Sequence, residues 1–321
     1  MFSLRPKTLY HWYRNHLSNY NPDIEQGNWQ KDKIPKVDGQ TGEILSESPV
    51  YIAKPENMGA AMVLDDKQIG KDVFSIMTNY ETGKIALLVE TVKVHELKMA
   101  TDFLGDSIEK VRSISCDMSP SYLSFIKSTF HNSQIVIDKF HVIRYVLDAV
   151  QGVRLGIKNQ LLEGLPRSKR KTATDRKVLS ELELLKRSKY LLTQPQGKWT
   201  EYQTEIANQV FDRFPDLKTA YQLSEAFKKW YSPSQPAKSK IMVEQNLYQW
   251  YEDVQTSELK QFNSVVKMIE RHEENIINYF YSCQTNAKAE NLNGRIQRFI
   301  SNNYGMKDKD FNLYRLSLYF S

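Results

Sequence analysis

Residues 60–66 read AAMVLDD, residues 73–90 read VFSIMTNYETGKIALLVE, and residues 111–138 read VRSISCDMSPSYLSFIKSTFHNSQIVID. Ala60 to Asp65 is a short apolar run. Val73 to Asn79 and Lys84 to Glu90 are two more, separated by the turn sequence Tyr80-Glu81-Thr82-Gly83. Val92 to Leu104 has helical spacing, Val111 to Asp117 reads as strand, Pro120 to His131 as helix and Gln134 to Asp138 as strand. The order is β-β-β-α-β-α-β. An acid closes three of the strands: Asp65 after Leu64, Asp117 after Cys116 and Asp138 after Ile137. Apolar strands hold such carboxylates at a sheet edge. Several of them together bind divalent metal, the usual equipment for cutting phosphodiesters.

Three consecutive strands followed by alternating helix and strand is the layout of an RNase H-like (retroviral-integrase-like) α/β core. After Phe140 the strands stop. Residues 141–280 carry Leu, Ile, Tyr and Trp at three- and four-residue intervals, punctuated by Pro166, Pro195, Pro215 and Pro233. The segment is too long for a connection within one sheet domain. It reads as a large all-α insertion before the last catalytic helix, which carries Glu290. The expected organisation is a helix and loop segment at 1–58 and the first part of the core at 59–145. The insertion then spans 146–280, and the C-terminal core helices span 281–321. Residues 1–20 predict a helix bearing Tyr10, Trp12, Tyr13, Arg14 and His16, either packed on the main domain or serving as a DNA-contacting arm. Residues 21–58 read as loop with one hairpin around Asp38-Gly39.

A chain of 321 residues suggests two or three domains, or one with a large insertion, and 40% hydrophobic residues suffice for a core. The net charge of +6 favours a polyanionic partner such as nucleic acid. Two isolated cysteines, Cys116 and Cys283, exclude a disulfide framework or a zinc module and suit a reducing compartment. No apolar run approaches the ~18 residues of a membrane span, and the N-terminus has no apolar signal core. A soluble, cytoplasmic protein is expected.

Four groups of residues carry candidate chemistry. Adjacent parallel strands lie about 4.8 Å apart, so Asp65 and Asp117 can share metal ions, with Glu290 completing the set from a helix. Asp66 alternates to the other side of its strand and takes a surface or supporting role. Asp138 and His141, three residues apart at a strand–helix junction, read either as a helix cap with a neighbouring His or as a pair that orients a catalytic carboxylate. In residues 286–300 Leu292, Ile296, Phe299 and Ile300 form an apolar stripe, while Lys288, Asn291, Arg295 and Arg298 share another face, with Glu290 and Asn293 between. That basic face is either solvated or in contact with DNA backbone. Arg167, Lys169, Arg170 and Lys171 form the densest basic run, either a phosphate track or a solvated loop. Trp199, Trp230, Trp250 and Tyr251 read as core of the helical segment rather than base-stacking platforms, with Trp199 the best exception because Gly197 and Lys198 place it near a loop.

These residues resemble bacterial insertion-sequence transposases with a DDE catalytic triad, in particular the ISL-three group. The resemblance rests on Val63-Leu64-Asp65-Asp66, Cys116 to Tyr122, Ile135 to Val142, the AVQGVR run from Ala149 to Arg154, Phe214 to Leu217, Arg271 to Phe280, the Glu290–Asn293 segment and Tyr304-Gly305. It covers roughly residues 60–315. It implies that Asp65, Asp117 and Glu290 are the catalytic triad and metal ligands, with Mg²⁺ (or Mn²⁺) as cofactor. Asp138, His141 and Asn293 are then supporting residues. The implied reaction is hydrolysis at a transposon end followed by attack of the freed 3′-hydroxyl on target DNA. The implied partners are double-stranded DNA and further copies of the chain. Gln297 stands where the group usually has Lys, with Arg295 and Arg298 flanking it. The Cys-rich zinc module and helix-turn-helix typical of the group are not visible, so the resemblance implies end recognition either by a separate end-recognition polypeptide or by one that has been lost. The competing expectations are a non-catalytic DNA-binding or assembly protein derived from a transposase, and an RNase H-like nuclease that only hydrolyses.

Overall fold

The computed structural model describes residues 5–27, 29, 32–38, 40–163, 176–232, 239–282, 286–302 and 308–320, without the side chains at 37, 176–179, 286–290, 292 and 293. Its helices are α1 (Pro6–Trp12), α2 (Tyr20–Glu25), α3 (Val94–Thr101), α4 (Pro120–Thr129), α5 (Lys139–Glu163), α6 (Arg176–Leu191), α7 (Glu201–Arg213), α8 (Pro215–Trp230), α9 (Lys240–Ser257), α10 (Lys260–Arg271), α11 (Glu273–Ile277), α12 (Asn286–Asn302) and α13 (Lys309–Phe320). The strands are β1 (Asp32–Val37), β2 (Ile44–Ala53), β3 (Ala61–Ile69), β4 (Asp72–Asn79), β5 (Ile85–Val89), β6 (Ser113–Cys116) and β7 (Gln134–Ile137). The chain divides into two compact units, residues 1–138 with 282–321, and residues 139–281.

The first unit is a mixed α/β body around one seven-stranded sheet of order β1-β2-β5-β4-β3-β6-β7. The pairings β1·β2, β2·β5, β5·β4 and β4·β3 are antiparallel, whereas β3·β6 and β6·β7 are parallel. The parallel strands β6 and β7 read as unbroken apolar runs because both faces are covered. One face packs on α12 and α13, where Ile296, Leu313, Leu316 and Phe320 join Tyr51, Phe74, Ile76 and Leu88. Residues 5–27 lie against α13 through Tyr10, Tyr20, Phe311 and Tyr314, so this segment packs on the unit's own core. That is the first of the two expectations for it.

Three details differ from the sequence reading. The hairpin around Asp38 forms, but its second arm β2 is a strand of 10 residues that joins the main sheet through β5. Pro49 and the polar run Ser46-Glu47-Ser48 hid it, since a Pro within a strand pattern argues against a central strand. Asp65 does not close its strand: β3 continues to Ile69, because its antiparallel ladder with β4 persists from Met62↔Asn79 to Ile69↔Asp72. The predicted helix at 92–104 is α3 followed by 3₁₀ turns over Asp102–Lys110, interrupted where Gly105 adopts φ 52°.

The second unit is entirely helical among its described residues, from α5 to α11. Its core is aromatic. Phe227, Trp230, Tyr231, Trp250 and Phe262 are buried, with ring centroids 4.9 Å apart for Phe227–Trp250 and 5.2 Å for Phe227–Trp230. Trp199 packs on Phe211 and Tyr221. The indoles therefore serve packing, including Trp199, the one whose place beside Gly197 and Lys198 favoured a loop. Among the described residues no helix is long and apolar enough to cross a membrane.

Candidate active site

Sheet connectivity selects the place. From β3 the chain runs outward to β4 and β5, then crosses back to β6 on the other side of β3. The β3–β6 junction is thus a topological switch point, the kind of place where open α/β sheets bind their ligands. The parallel ladder there ends at Val63↔Ser115. Asp65 and Asp117 each lie two residues beyond that last pair. The β6·β7 ladder ends at Cys116↔Ile137, and the Asp138 amide donates to the Cys116 carbonyl at 2.8 Å. Asp138 therefore comes beside Asp117 at the same edge.

Asp65 is largely covered and forms an ion pair with Lys67, two residues along the same face of β3. Lys67 was not singled out in the sequence. Its signal was the two-residue strand period, which sets an amine beside a candidate metal ligand. Asp117 accepts a 2.9 Å hydrogen bond from the Ser119 amide, a local turn that leads into α4. Asp66 belongs to the opposite face from Asp65, as alternation predicted, yet it is not remote. Burial pushes its carboxyl above the usual carboxylate range, and the charges of Asp65 and Asp117 push it further. Below it Tyr122 of α4 lies 2.9 Å from the Ser75 hydroxyl. Burial lifts the Tyr122 phenol above its ordinary range, and Asp66, Asp65 and Asp117 push the same way against the Ser75 hydrogen bond. The Cys116 thiol is pushed up by burial and then by Asp117 and Asp138, so it is an inert core group rather than a nucleophile.

The helix carrying Glu290 lies over the Asp65 face. Asp65 pairs across the ladder with Ile76, and Ile76 packs in one cluster with Ile296 of α12. Glu290 lies in the second turn of α12, and its side chain, like those of Lys288 and Asn293, falls outside the described residues. Among the described residues no three His, Cys, Asp or Glu side chains form a metal cage. Arg295 is exposed, with its guanidinium 5.5 Å over the Phe320 ring, and the exposed Arg298 bonds its own helix at the Gly294 carbonyl, 3.2 Å away. His141 stands in the first turn of α5, its ring edge-on to Phe140 at 5.7 Å. Arg167, Lys169, Arg170 and Lys171 lie outside the described residues, as does Cys283.

A family model described as a transposase, of the ISL3 DDE type, matches residues 62–318. The chain belongs to this transposase family. The match begins at β3 and ends within α13, so it takes in both the strand-borne acids and α12. The transposase for insertion sequence element IS1001 of Bordetella parapertussis is a distant relative, 21% identical over 204 residues. That alignment covers 63% of this chain and 46% of the relative, so the chain spans less than half the length of the relative it matches.

Proposed function

We propose that this ISL3-type transposase cuts phosphodiesters at transposon ends and joins the freed 3′-hydroxyl to target DNA, in a divalent-metal-dependent reaction. The observation that carries this reading is that Asp65 and Asp117 each stand two residues beyond the last β3–β6 pair, close enough that both charges reach Asp66. The strand order β5-β4-β3-β6-β7 supports an RNase H-like core, with residues 139–281 as a helical insertion before the last catalytic helix.

The donor set suits a hard cation. It consists of carboxylates whose mutual repulsion already lifts Asp66, and Lys67 is the nearby cation that offsets Asp65. Asp65 and Asp117 would hold Mg²⁺ (or Mn²⁺), with Glu290 brought in by α12. Such an ion supplies activation of the attacking oxygen and stabilisation of the leaving one. Lys67 holds Asp65 in place and neutralises it. Tyr122, kept protonated, fixes the floor under Asp66. Asp138, His141 and Asn293 are proposed to support the catalytic acids, and Lys288, Arg295, Arg298 and the Arg167–Lys171 run to contact DNA phosphates. Assembly of several copies on DNA belongs to the same proposal.

Pre-cut transposon ends and a target plasmid, incubated with Mg²⁺ and either wild type or Asp117→Asn, test it. Nicking and joining by wild type, abolished in Asp117→Asn, is the expected result. Absence of nicking by wild type overturns it. Nicking without joining would reduce the activity to hydrolysis.

A further inference from the structure

Arg154 of α5 is 6% exposed, a charged side chain almost wholly inside the helical unit. Its Nε donates to Gln151 Oε1 at 2.7 Å and its Nη1 to the Leu185 carbonyl at 3.1 Å. Both acceptors are neutral, and no ion pair reaches Arg154 from the described residues. Burial alone draws its pKa below the ordinary guanidinium range. A buried cation without a counter-charge is unfavourable, and proteins keep one where a ligand supplies the missing charge.

A cavity of about 550 Å³ opens against it, lined by Arg154 and Lys158 from α5, Lys186 and Lys189 from α6, Glu183 and two leucines. Arg154 and Lys158 are four residues apart, and Lys186 and Lys189 three, so each helix turns one basic stripe into the same space. Glu183 is the opposing charge, and it is already engaged by Arg187 at 2.9 Å and Lys186 at 4.0 Å. Gln151 fixes the arrangement: its Oε1 holds Arg154 while its Nε2 donates to the Lys189 carbonyl at 3.0 Å. Exposed rings flank the same stretch of α6. Tyr190 is 71% exposed beneath the Lys189 amine, and Tyr202, 59% exposed, bonds Arg187 at 2.8 Å.

We propose that this α5–α6 cavity is a phosphate site that grips the sugar-phosphate backbone of duplex DNA. The inference rests on the transposase function proposed above and assigns a DNA contact to the helical unit. With Nε and one Nη1 proton given to Gln151 and Leu185, the Nη1–Nη2 edge of the guanidinium is the fork left for a phosphate, and the lysines add point charge around it. The exposed rings next to the cations suit sugar and base contact.

The test is fluorescence anisotropy of the full chain with a labelled duplex of about 30 base pairs, across about 50–200 mM salt. Lys158→Gln/Lys186→Gln removes two cavity charges. Lys218→Gln/Lys260→Gln removes two exposed charges that do not line the cavity and is the control. Arg154→Lys keeps a cation but loses the fork. The cavity pair should weaken binding about ten-fold and reduce the salt slope by about two, Arg154→Lys about five-fold, and the control less than about two-fold. Equal affinities and slopes for the cavity and control pairs overturn the proposal. If wild type still nicks and joins ends, only this site fails; if wild type binds no duplex, the proposed function fails with it. A rise in melting temperature with inorganic phosphate that the cavity pair loses, at unchanged duplex affinity, would assign the cavity to a small phosphate ligand and overturn the DNA assignment.

Discussion

Asp66 stands directly opposite Ser75 in the β3–β4 ladder, and the Ser75 hydroxyl joins the candidate active site to α4. Ser75 Oγ lies 2.6 Å from the Thr91 carbonyl and 2.9 Å from Tyr122 Oη. A serine has one proton to give, and the Thr91 carbonyl can only accept it. The Tyr122 hydroxyl must therefore donate to Ser75. Tyr122→Phe leaves the Ser75–Thr91 bond intact and removes one buried hydrogen bond, a loss of about 1 kcal/mol. Chemical unfolding followed through the sheet unit should register that loss, and catalysis with Mg²⁺ should fall by less than about ten-fold. A larger loss of activity than of stability would move Tyr122 from the floor of the site into the reaction.

Asp66 also sets a pH dependence. Its folded carboxyl is held above the usual carboxylate range, first by burial and then by Asp65 and Asp117. A raised acid contributes stability that is fully present below its unfolded pKa and is lost as pH rises through its folded value. At neutral pH its ionised form therefore works against the fold. Asp66→Asn should raise the melting temperature at pH ~7.5 and leave it unchanged near pH ~3, the gain being modest because the carboxyl, though crowded by its neighbours, keeps part of its surface open to screening solvent. Millimolar Mg²⁺ should stabilise wild type by relieving the same repulsion, and much less so Asp65→Asn. Thermal melts at the two pH values, with and without Mg²⁺, check both statements. A gain of equal size at both pH values would disconnect it from ionisation.

The legible parts of this chain were those where local pattern and tertiary role agree. The apolar runs at 61–64, 74–79, 85–89, 113–116 and 134–137 are strands because each is buried, and their order was readable without any knowledge of pairing. β2 was illegible because its first four residues are exposed and Pro49 interrupts the rest, so only its pairing with β5 makes it part of the sheet. The true end of β3 depends on β4, a non-local partner that the Asp65-Asp66-Lys67 sequence does not announce. Asp65 and Asp117 stood out as candidates because acids after apolar strands are conspicuous. Lys67 and Tyr122 were missed because an amine or phenol becomes part of a site only through neighbours distant in sequence. Arg154 closes the AVQGVR run, and nothing local marks an arginine as buried.

The N-terminal segment is tied to α13 by charge as well as by rings. Arg14 Nε lies 2.6 Å from Asp308, and the guanidinium sits 4.6 Å over the Tyr20 ring. Both partners of the ion pair are about a quarter exposed, at 26% and 28%. A charge-assisted bond combined with ring contact is worth more than an open surface pair, about 1–2 kcal/mol. Arg14→Ala should release residues 5–25 from α13 and speed limited proteolysis there several-fold, while the sheet core stays protected. Arg14→Lys should recover only part of the protection, because an ammonium cannot span ring and carboxylate together. Mass spectrometry of the early fragments distinguishes these outcomes, and equal cleavage rates in all three proteins would refute the tie.

The helical unit depends on two indoles that each donate to a backbone carbonyl in its core. Trp250 Nε1 bonds the Leu223 carbonyl at 2.9 Å, and Trp230 Nε1 bonds the Val243 carbonyl at 3.0 Å, so α8 and α9 are bound in both directions. Trp250 is 3% exposed and packs its ring on Phe227 at 4.9 Å. Trp250→Phe keeps an aromatic ring but removes the indole's bond to the Leu223 carbonyl, which keeps its helical bond within α8, and leaves a void where the second ring stood. The combined loss should be about 2–4 kcal/mol. Trp250→Ala should reach the upper end of the aromatic-to-alanine range, about 5 kcal/mol, and unfold the helical unit near physiological temperature. Near-UV circular dichroism during a urea titration should show the aromatic signal of this unit melting early, while hydrogen exchange at the buried amides of β3, β4 and β6 remains slow. Loss of protection in those strands at the same urea concentration would mean that the two units unfold as one, and would set the indole pair at the centre of the whole molecule's stability.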